Sequence, residues 1–324
     1  MKKERILIVG ATGFIGKNLV PRLARDRRIS VLARPTSDTS LFRQNPKIEI
    51  LYGDLDTGQG LGAAMENIDL VIHCAGRTMA RTYAEFHRTN TIGTSRLVQE
   101  MKRSGVRKVL YLSSHAACGP GRDSAPAAGT DAERPVSFYG HTKRLAEASI
   151  MRSGLRYTIV RPVAVYGPHD REILTYVRLL NRGICPVIGS GAKYVNVIYV
   201  KDLVEMIVRI VDMDLFAGQI YFANDGKCYS FDALLDTIAR ALGKGNVKVR
   251  VPRWIAMFIG SLNDAVVPPR YRLVTRDKVR ELACPYWVCD STRAIEDTGF
   301  QPQYTFERGI AETIDWYRAH ALLS

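Results

Sequence analysis

The chain has 324 residues, 46% of them hydrophobic and 24% charged, proportions that exclude a disordered or fibrous protein and allow one large α/β domain with a smaller appendage. No apolar run approaches the roughly 18 residues of a transmembrane helix. The start, Met1-Lys2-Lys3-Glu4-Arg5, leads straight into a short apolar strand, unlike a signal peptide, so a cytoplasmic protein beginning near Met1 is expected. The formal net charge of +14 admits nucleic acid, an anionic membrane surface or a phosphorylated ligand. The basic residues are scattered (Arg22, Arg25, Arg27, Arg28, Lys102, Arg103, Arg107, Lys108) and no basic stripe is interleaved with aromatics, so solvated charge is preferred to a nucleic-acid role. Cys74, Cys118, Cys185, Cys228, Cys284 and Cys289 lack C-x-x-C spacing and histidine neighbours at ligand spacing, which favours reduced thiols over disulfides or zinc.

In chain order, Arg5–Val9 is an apolar strand and Phe14–Arg25 a helix, with Pro21 inside it as a local conflict. Strands follow at Ile29–Ala33, Ile48–Tyr52 and Asp69–Cys74. A long helix is predicted over Tyr83–Ser104, then a strand at Val106–Leu112, a helix at Tyr139–Ser153 and a strand at Tyr157–Arg161. Such alternation with short connections gives an α/β fold with a Rossmann-type, doubly wound parallel sheet. Beyond about residue 165 the regularity weakens, with helices near Glu172–Arg182, Val200–Met213, Phe231–Leu242 and Phe306–Arg318. Residues 1–165 are read as the cofactor-binding domain. Residues 166–324 are read as a smaller substrate lobe, interleaved with the first and packed over the carboxyl ends of the strands, where ligands of open α/β sheets bind. The apolar segment Val251–Ile259, flanked by Lys248, Arg250, Arg270 and Arg272, is read as a core helix of that lobe. A membrane-interface helix or the wall of a lipid-like pocket is the alternative.

Gly10-Ala11-Thr12-Gly13-Phe14-Ile15-Gly16 links the first strand to the first helix. Gly10 permits a tight turn, Gly13 lets the backbone approach a pyrophosphate, and Gly16 allows close packing of helix on strand. The helix start offers free N–H groups and a positive dipole end to the phosphates. The position between strand and helix, rather than the glycines alone, carries this assignment. Arg34 closes the second strand, where an acid would bind the ribose hydroxyls of NAD; a guanidinium instead matches a 2′-phosphate, so NADP(H) is favoured and NAD(H) is the alternative. Asp54, after the third strand, can accept a bond from the adenine amine.

Tyr139 and Lys143 lie four apart near a helix start, so both can point into one cleft. A phenol with an ordinary pKa of about 10 is a poor proton relay at neutral pH, and a nearby ammonium moves it toward the working range. Ser114 ends the fifth strand, where its hydroxyl can hold a substrate carbonyl, and Ser113 precedes it. Asn90 on the long helix can bridge backbone and water behind the lysine, or serve only the helix itself.

With these pieces the chain resembles the extended short-chain dehydrogenase/reductases, which include the sugar-nucleotide epimerases and dehydratases. The matching segments are Gly10 to Gly16, Gly53-Asp54-Leu55, His73-Cys74-Ala75-Gly76, Asn90 to Thr94, Ser113-Ser114, Tyr139 to Lys143 and Arg161-Pro162-Val163-Ala164-Val165-Tyr166-Gly167-Pro168. Tyr199-Val200-Lys201-Asp202-Leu203 extends the match into the second half. The resemblance implies hydride transfer at a nicotinamide, Tyr139 as general acid/base, Lys143 as its partner and as a ligand of the cofactor, and Ser114 as substrate clamp. It also implies that Thr12, Phe14, Ile15, Leu55, Ala75, Gly76 and Pro162 line the cofactor, and that the chain forms a homodimer.

Departures from the family pattern narrow the reaction. Dehydratases carry an Asp-Glu pair just after the active-site serine or threonine, where this chain has His115-Ala116. Epimerases present an arginine to the nucleotide diphosphate where this chain has Val195, with Lys193 as a possible substitute. With Arg34, this makes the chain more similar to the dihydroflavonol reductase and hydroxysteroid dehydrogenase branch. The expected reaction interconverts a ketone or aldehyde and an alcohol on a small-molecule substrate. An NAD-dependent epimerase and a non-catalytic cofactor-binding subunit remain the alternatives. His115 can be a second proton donor or a pocket wall.

Overall fold

Strands covered on both faces need apolar residues at consecutive rather than alternate positions, and the first strands have them. The computed structural model describes residues 4–121, 127, 133–245, 247–267 and 275–323. Its first half contains β1 (Ile6–Val9), α1 (Phe14–Leu23), β2 (Ile29–Ala33), α2 (Ser40–Arg43), β3 (Ile48–Tyr52), α3 (Leu61–Ala64), β4 (Leu70–His73), α4 (Tyr83–Phe86), α5 (Gly93–Arg103), β5 (Lys108–Leu112), α6 (Phe138–Met151) and β6 (Arg156–Pro162). Then come β7 (Ala164–Tyr166), α7 (Glu172–Asn181), β8 (Ile184–Ile188), β9 (Tyr194–Val195), β10 (Val197–Tyr199), α8 (Val200–Asp212), β11 (Gln219–Ala223), β12 (Tyr229–Ser230) and α9 (Phe231–Ala241). The last elements are β13 (Val247–Val251), α10 (Arg253–Val266), α11 (Arg276–Leu282), β14 (Tyr286–Trp287), α12 (Thr292–Thr298) and α13 (Phe306–Ala319).

Seven parallel strands form one sheet in the order β11-β6-β5-β4-β1-β2-β3. The order reverses at β1, so a crevice opens outside the carboxyl ends of β1 and β4, where the glycine turn lies. Successive side chains of a strand point to opposite faces. Ile6 and Ile8 accordingly join the core beneath α1 and α8, and Leu7 and Val9 the core beneath α5 and α6. The chain leaves this sheet after β6 and returns to it at β11, whose register runs from Gln219 opposite Thr158 to Ala223 opposite Pro162. The rest of the second half builds small sheets, β7 with β10, β8 with β13, and β9 between β12 and β14. These pack with α7, α9 and α13 around a third core that includes Tyr166, Val177, Ile238, Phe306 and Tyr317.

Three local expectations are altered. α1 ends at Leu23 rather than Arg25, two residues past Pro21, whose ring nitrogen cannot donate to the preceding turn. The long helix over Tyr83–Ser104 is interrupted by a π-helical turn at His87–Ile92. Such an extra residue in a turn is a common device at functional sites, and here it falls on Asn90, which is buried. The third concerns Val251–Ile259, read above as a core helix. α10 buries only Ala256 and Gly260, while Trp254 is 73% and Phe258 67% exposed. Periodicity reveals an apolar face but not what covers it, and among the described residues α11 packs against the opposite side only. No helix among the described residues is long and apolar enough to cross a membrane.

Candidate active site

The glycine turn shows its requirements in its backbone. Gly10 has φ +89°, and a β-carbon on it would lie 2.5 Å from the backbone nitrogen of Ala75 at the end of β4. A β-carbon on Gly16 would lie 2.4 Å from the Gly10 carbonyl oxygen. α1 therefore starts close against β1 and β4. Its first turn has no side-chain cap at Gly13 and no acidic residue, which leaves backbone N–H groups and the positive dipole end facing the crevice. Thr12, Phe14 and Ile15 are partly exposed there and Gly13 is exposed. An uncapped helix start over a strand edge with no side chain in the way fits the diphosphate of a dinucleotide.

Arg34 follows the last residue of β2 and is exposed; its carbonyl accepts the Ser37 N–H at 2.9 Å, and its guanidinium has no ion-pair partner among the described residues. Asp54 uses one carboxylate oxygen to accept the Asp56 N–H at 2.7 Å, and Leu55 beside it is buried. Pro162 ends β6, and the next residue, Val163, donates its N–H to the Ala223 carbonyl.

α6 carries Tyr139 and Lys143. Ser137 caps its start by accepting the Gly140 N–H, as a serine before a helix does. Tyr139 and Lys143 lie one turn apart on it. The Lys143 ammonium is buried, donates to the Leu112 carbonyl at 2.7 Å and sits 4.2 Å from the centre of the Tyr111 ring. Burial pushes its pKa down to about 7, against the opposing pull of Glu147. Its Nζ and the Asn90 Oδ1 each lie 3.6 Å from the position a β-carbon would take on Gly76, so Gly76, Lys143 and Asn90 converge beside Ala75. Asn90 accepts the Arg77 N–H at 2.7 Å and donates to the Arg77 carbonyl and the Thr142 hydroxyl, each at 3.1 Å. It thus ties the β4 loop to α6 and makes no direct bond to Lys143.

Ser114 lies two residues past the end of β5 and caps a short 3-10 turn, accepting the Ala116 N–H at 3.1 Å, which leaves its own O–H to donate. Its hydroxyl stands near enough to the Tyr139 phenol to lower the phenol pKa by hydrogen bonding; burial outweighs this, and the net shift is upward. The cations and acids that also act on Tyr139 come from the second half: Glu281, Glu172 and Lys278. His115 is buried edge-on to the rings of Phe222 and Trp287, and burial pushes its pKa down to about 3, so it is neutral at physiological pH. Behind α6, Glu147 and Arg161 form a buried bidentate pair at 3.0 and 2.6 Å, with Glu133 as a second partner. Burial opposes the charge on Arg161, but the bonds to Glu147 and Glu133 more than offset it. The pair fixes α6 against β6, two turns beyond Tyr139.

Sequence reasoning missed α11. Asp277 accepts the N–H groups of Phe138 and Tyr139 at 2.6 and 3.1 Å, and Glu281 accepts the Ser137 hydroxyl at 2.6 Å. Lys278 bridges Glu172 at 3.0 Å and Glu281 at 3.4 Å. A helix of seven mostly charged residues has no periodic apolar face and matches no motif, so only Thr275, as an N-cap, signalled it. Val195 lies in β9, and the Lys193 ammonium donates to the Leu282 carbonyl of α11.

The strand order, the open glycine turn and the helix bearing Tyr139 and Lys143 define an enzyme of the extended short-chain dehydrogenase/reductase type. The chain belongs to the NAD dependent epimerase/dehydratase family, whose model matches residues 6–222. It is 30% identical to a ceramide reductase of Caulobacter vibrioides over 97% of this chain and 94% of that protein. It is 26% identical to a UDP-glucose 4-epimerase of Vibrio cholerae over 96% of this chain and 94% of that one. In fold it resembles the dTDP-glucose 4,6-dehydratase DesIV of Streptomyces venezuelae, solved with NAD bound, with a TM-score of 0.81, 22% identity and 97% of each chain covered. Oxidoreductase or epimerase chemistry with a nicotinamide cofactor is therefore the activity class.

Proposed function

We propose that the chain is an NADP-dependent oxidoreductase that interconverts a ketone or aldehyde and an alcohol, with Tyr139 as general acid/base. The observation that carries this reading is the Ser114 hydroxyl beside the Tyr139 phenol, on the helix whose Lys143 reaches Gly76 next to the open start of α1. Gly10, Gly13 and Gly16 with the α1 N-terminus would hold the diphosphate, Arg34 the 2′-phosphate, and Lys143 the nicotinamide ribose. NADPH held there would supply the hydride that reduction of the carbonyl requires. As charge grows on the carbonyl oxygen, Ser114 would donate a hydrogen bond to it and Tyr139 its proton, after which solvent reprotonates the phenolate. Burial keeps the phenol protonated, the form that reduction requires. The neutral His115 after Ser114 provides no carboxylate for elimination, and Lys193 has one of its N–H groups engaged by the Leu282 carbonyl. The name of the ceramide reductase relative supports reduction of a lipid-borne carbonyl, and that of the epimerase relative supports the second reading.

The test is Tyr139→Phe on a panel of ketones and aldehydes with NADPH. Turnover should fall by roughly 100-fold or more while fluorescence titration with NADPH stays unchanged. Wild-type turnover by the variant would remove Tyr139 from the chemistry.

A further inference from the structure

An ion pair that faces an open cleft keeps part of its hydration. Whatever fills the cleft must replace those water bonds or leave the charges unsolvated. α7 and α11 place such a group beside Tyr139. The Lys278 ammonium of α11 lies 3.0 Å from the Glu172 carboxylate at the start of α7 and 3.4 Å from Glu281, one turn further along α11. The Glu172 and Lys278 side chains remain 44% and 33% exposed, so the pair is open to solvent rather than sealed in a core. Its surroundings show where it opens. The Thr78 hydroxyl bonds Glu172, and Thr78 follows closely on Gly76, the residue beside the Lys143 ammonium. On the other side, Glu281 accepts the hydroxyl of Ser137, just before Tyr139. After burial and the Ser114 hydroxyl, the groups that act on the Tyr139 phenol are Glu281, Glu172 and Lys278. The triplet therefore spans from the cofactor-side loop to the start of α6, and it borders the place of a carbonyl held at Tyr139.

The other charges of α11 are engaged elsewhere. Asp277 accepts the Phe138 and Tyr139 N–H groups, and Arg280 lies over the Phe138 ring, 3.8 Å from the Asp277 carboxylate. That leaves two carboxyl groups to one ammonium on this wall. Each carboxylate oxygen has two lone pairs, so Glu172 and Glu281 can accept further bonds, and the ammonium has a third N–H beyond those aimed at the acids. A hydroxyl of the substrate would donate to a carboxylate and accept from Lys278. An amine would gain from the excess of acid. A hydrocarbon chain would instead strip water from three charged groups and replace none of it. A carboxylate would meet two acids for one cation.

We propose that Glu172, Lys278 and Glu281 form a specificity site that recognises a hydrogen-bond-donating group, a hydroxyl or an amine, one or two carbons from the carbonyl reduced at Tyr139. This deepens the oxidoreductase reading above and rests on it. The triplet touches the substituent and not the reacting carbon, so it sets which carbonyl compounds are taken rather than the chemistry performed on them.

The test gives the full chain NADPH and matched ketones that differ only at that position, bearing hydrogen, hydroxyl, amino or carboxylate. Wild type should show kcat/KM roughly 10-fold or more higher for the hydroxyl and amino compounds than for the plain ketone, and lowest for the keto acid. The double variant Glu172→Leu/Lys278→Met replaces the pair by apolar side chains of similar size, an exchange that often leaves stability little changed. In it the ratio of donor-bearing to plain ketone should fall to about one. Should that variant fail to fold, Glu172→Gln, which keeps the shape and removes the charge, should lower the same ratio. A purely structural pair would slow all compounds together and leave the ratio unchanged. That result would overturn the proposal, as would a wild type with no preference among ketones it turns over, and the oxidoreductase reading would survive both. If no ketone is turned over, that reading fails and the site is judged by binding alone. The matching alcohols are then titrated calorimetrically into the protein with saturating NADPH, a mixture in which no hydride can be transferred. Tighter binding of diols and amino alcohols than of plain alcohols, lost in the variant, would uphold the site; equal binding or none would overturn it.

Discussion

Lys143 is expected to cost the cofactor-free protein stability, and Lys143→Met measures how much. Its ammonium is 2% exposed and its pKa is pushed from 10.5 down to about 7 by burial. At pH 7 this shift corresponds to about 4 kcal/mol of penalty for folding the charged side chain. Methionine removes that penalty but also the bond to the Leu112 carbonyl, whose loss costs about 1–3 kcal/mol. The variant should therefore be more stable by ~1–3 kcal/mol, or about 2–4 °C in melting temperature for a chain of this length. The pH dependence fixes the cause. The folded-state pKa is depressed, so the unfolded chain binds more protons between pH 7 and 10.5. The wild type accordingly gains stability as pH rises through that window and loses it as pH falls through 7. The advantage of the variant should shrink by about 2 kcal/mol between pH 7 and 9, as read by urea titration of both proteins without cofactor. A variant less stable than wild type at pH 7, or an advantage independent of pH, would refute this reading of the buried ammonium. The same substitution should abolish turnover, a stabilising change made at the expense of function.

Two further predictions concern the crevice. Arg34→Glu should weaken NADPH by roughly 10- to 100-fold in fluorescence titration and leave NADH unchanged or improved; equal affinities for both cofactors in both proteins would remove Arg34 from recognition. Asp277→Ala should cost about 1–2 kcal/mol by freeing the Phe138 and Tyr139 N–H groups. It should also lower kcat, with Asp277→Asn, whose single amide oxygen can accept only one of the two N–H groups, recovering part of both, whereas unchanged stability and kcat would show that α11 does not position the helix bearing Tyr139.

How much of this was legible before the structure depends on the range of the interactions involved. β1, β2, β4 and β5 are apolar runs because helices cover both sheet faces, and such runs are visible locally. The turn from Gly10 to Gly16 is legible for the same reason: its backbone contacts reach only from β1 to α1 and the end of β4. The π-turn at Asn90 is not, because it answers to Arg77 and Thr142, which come together with it only after folding. The contribution of α11 has the same character, since Asp277 lies 138 residues from Tyr139 and nothing in its neighbourhood marks it as a helix cap for another segment. α10 was seen as an apolar helix, but whether such a helix is buried depends on what else reaches it. The short strands β9, β12 and β14 have two residues each and exist only through their pairing.

The most direct test of the oxidoreductase assignment follows deuterium. The purified protein is checked for retained nucleotide, then incubated with carbonyl substrates and NADPH carrying deuterium at the transferring position of the nicotinamide. The predicted result is exchangeable cofactor, one NADPH consumed per alcohol released, and deuterium on the carbinol carbon of that alcohol. NAD retained in stoichiometric amount, with a sugar nucleotide inverted at one hydroxyl and no net change in the cofactor, would contradict it and make the chain an epimerase.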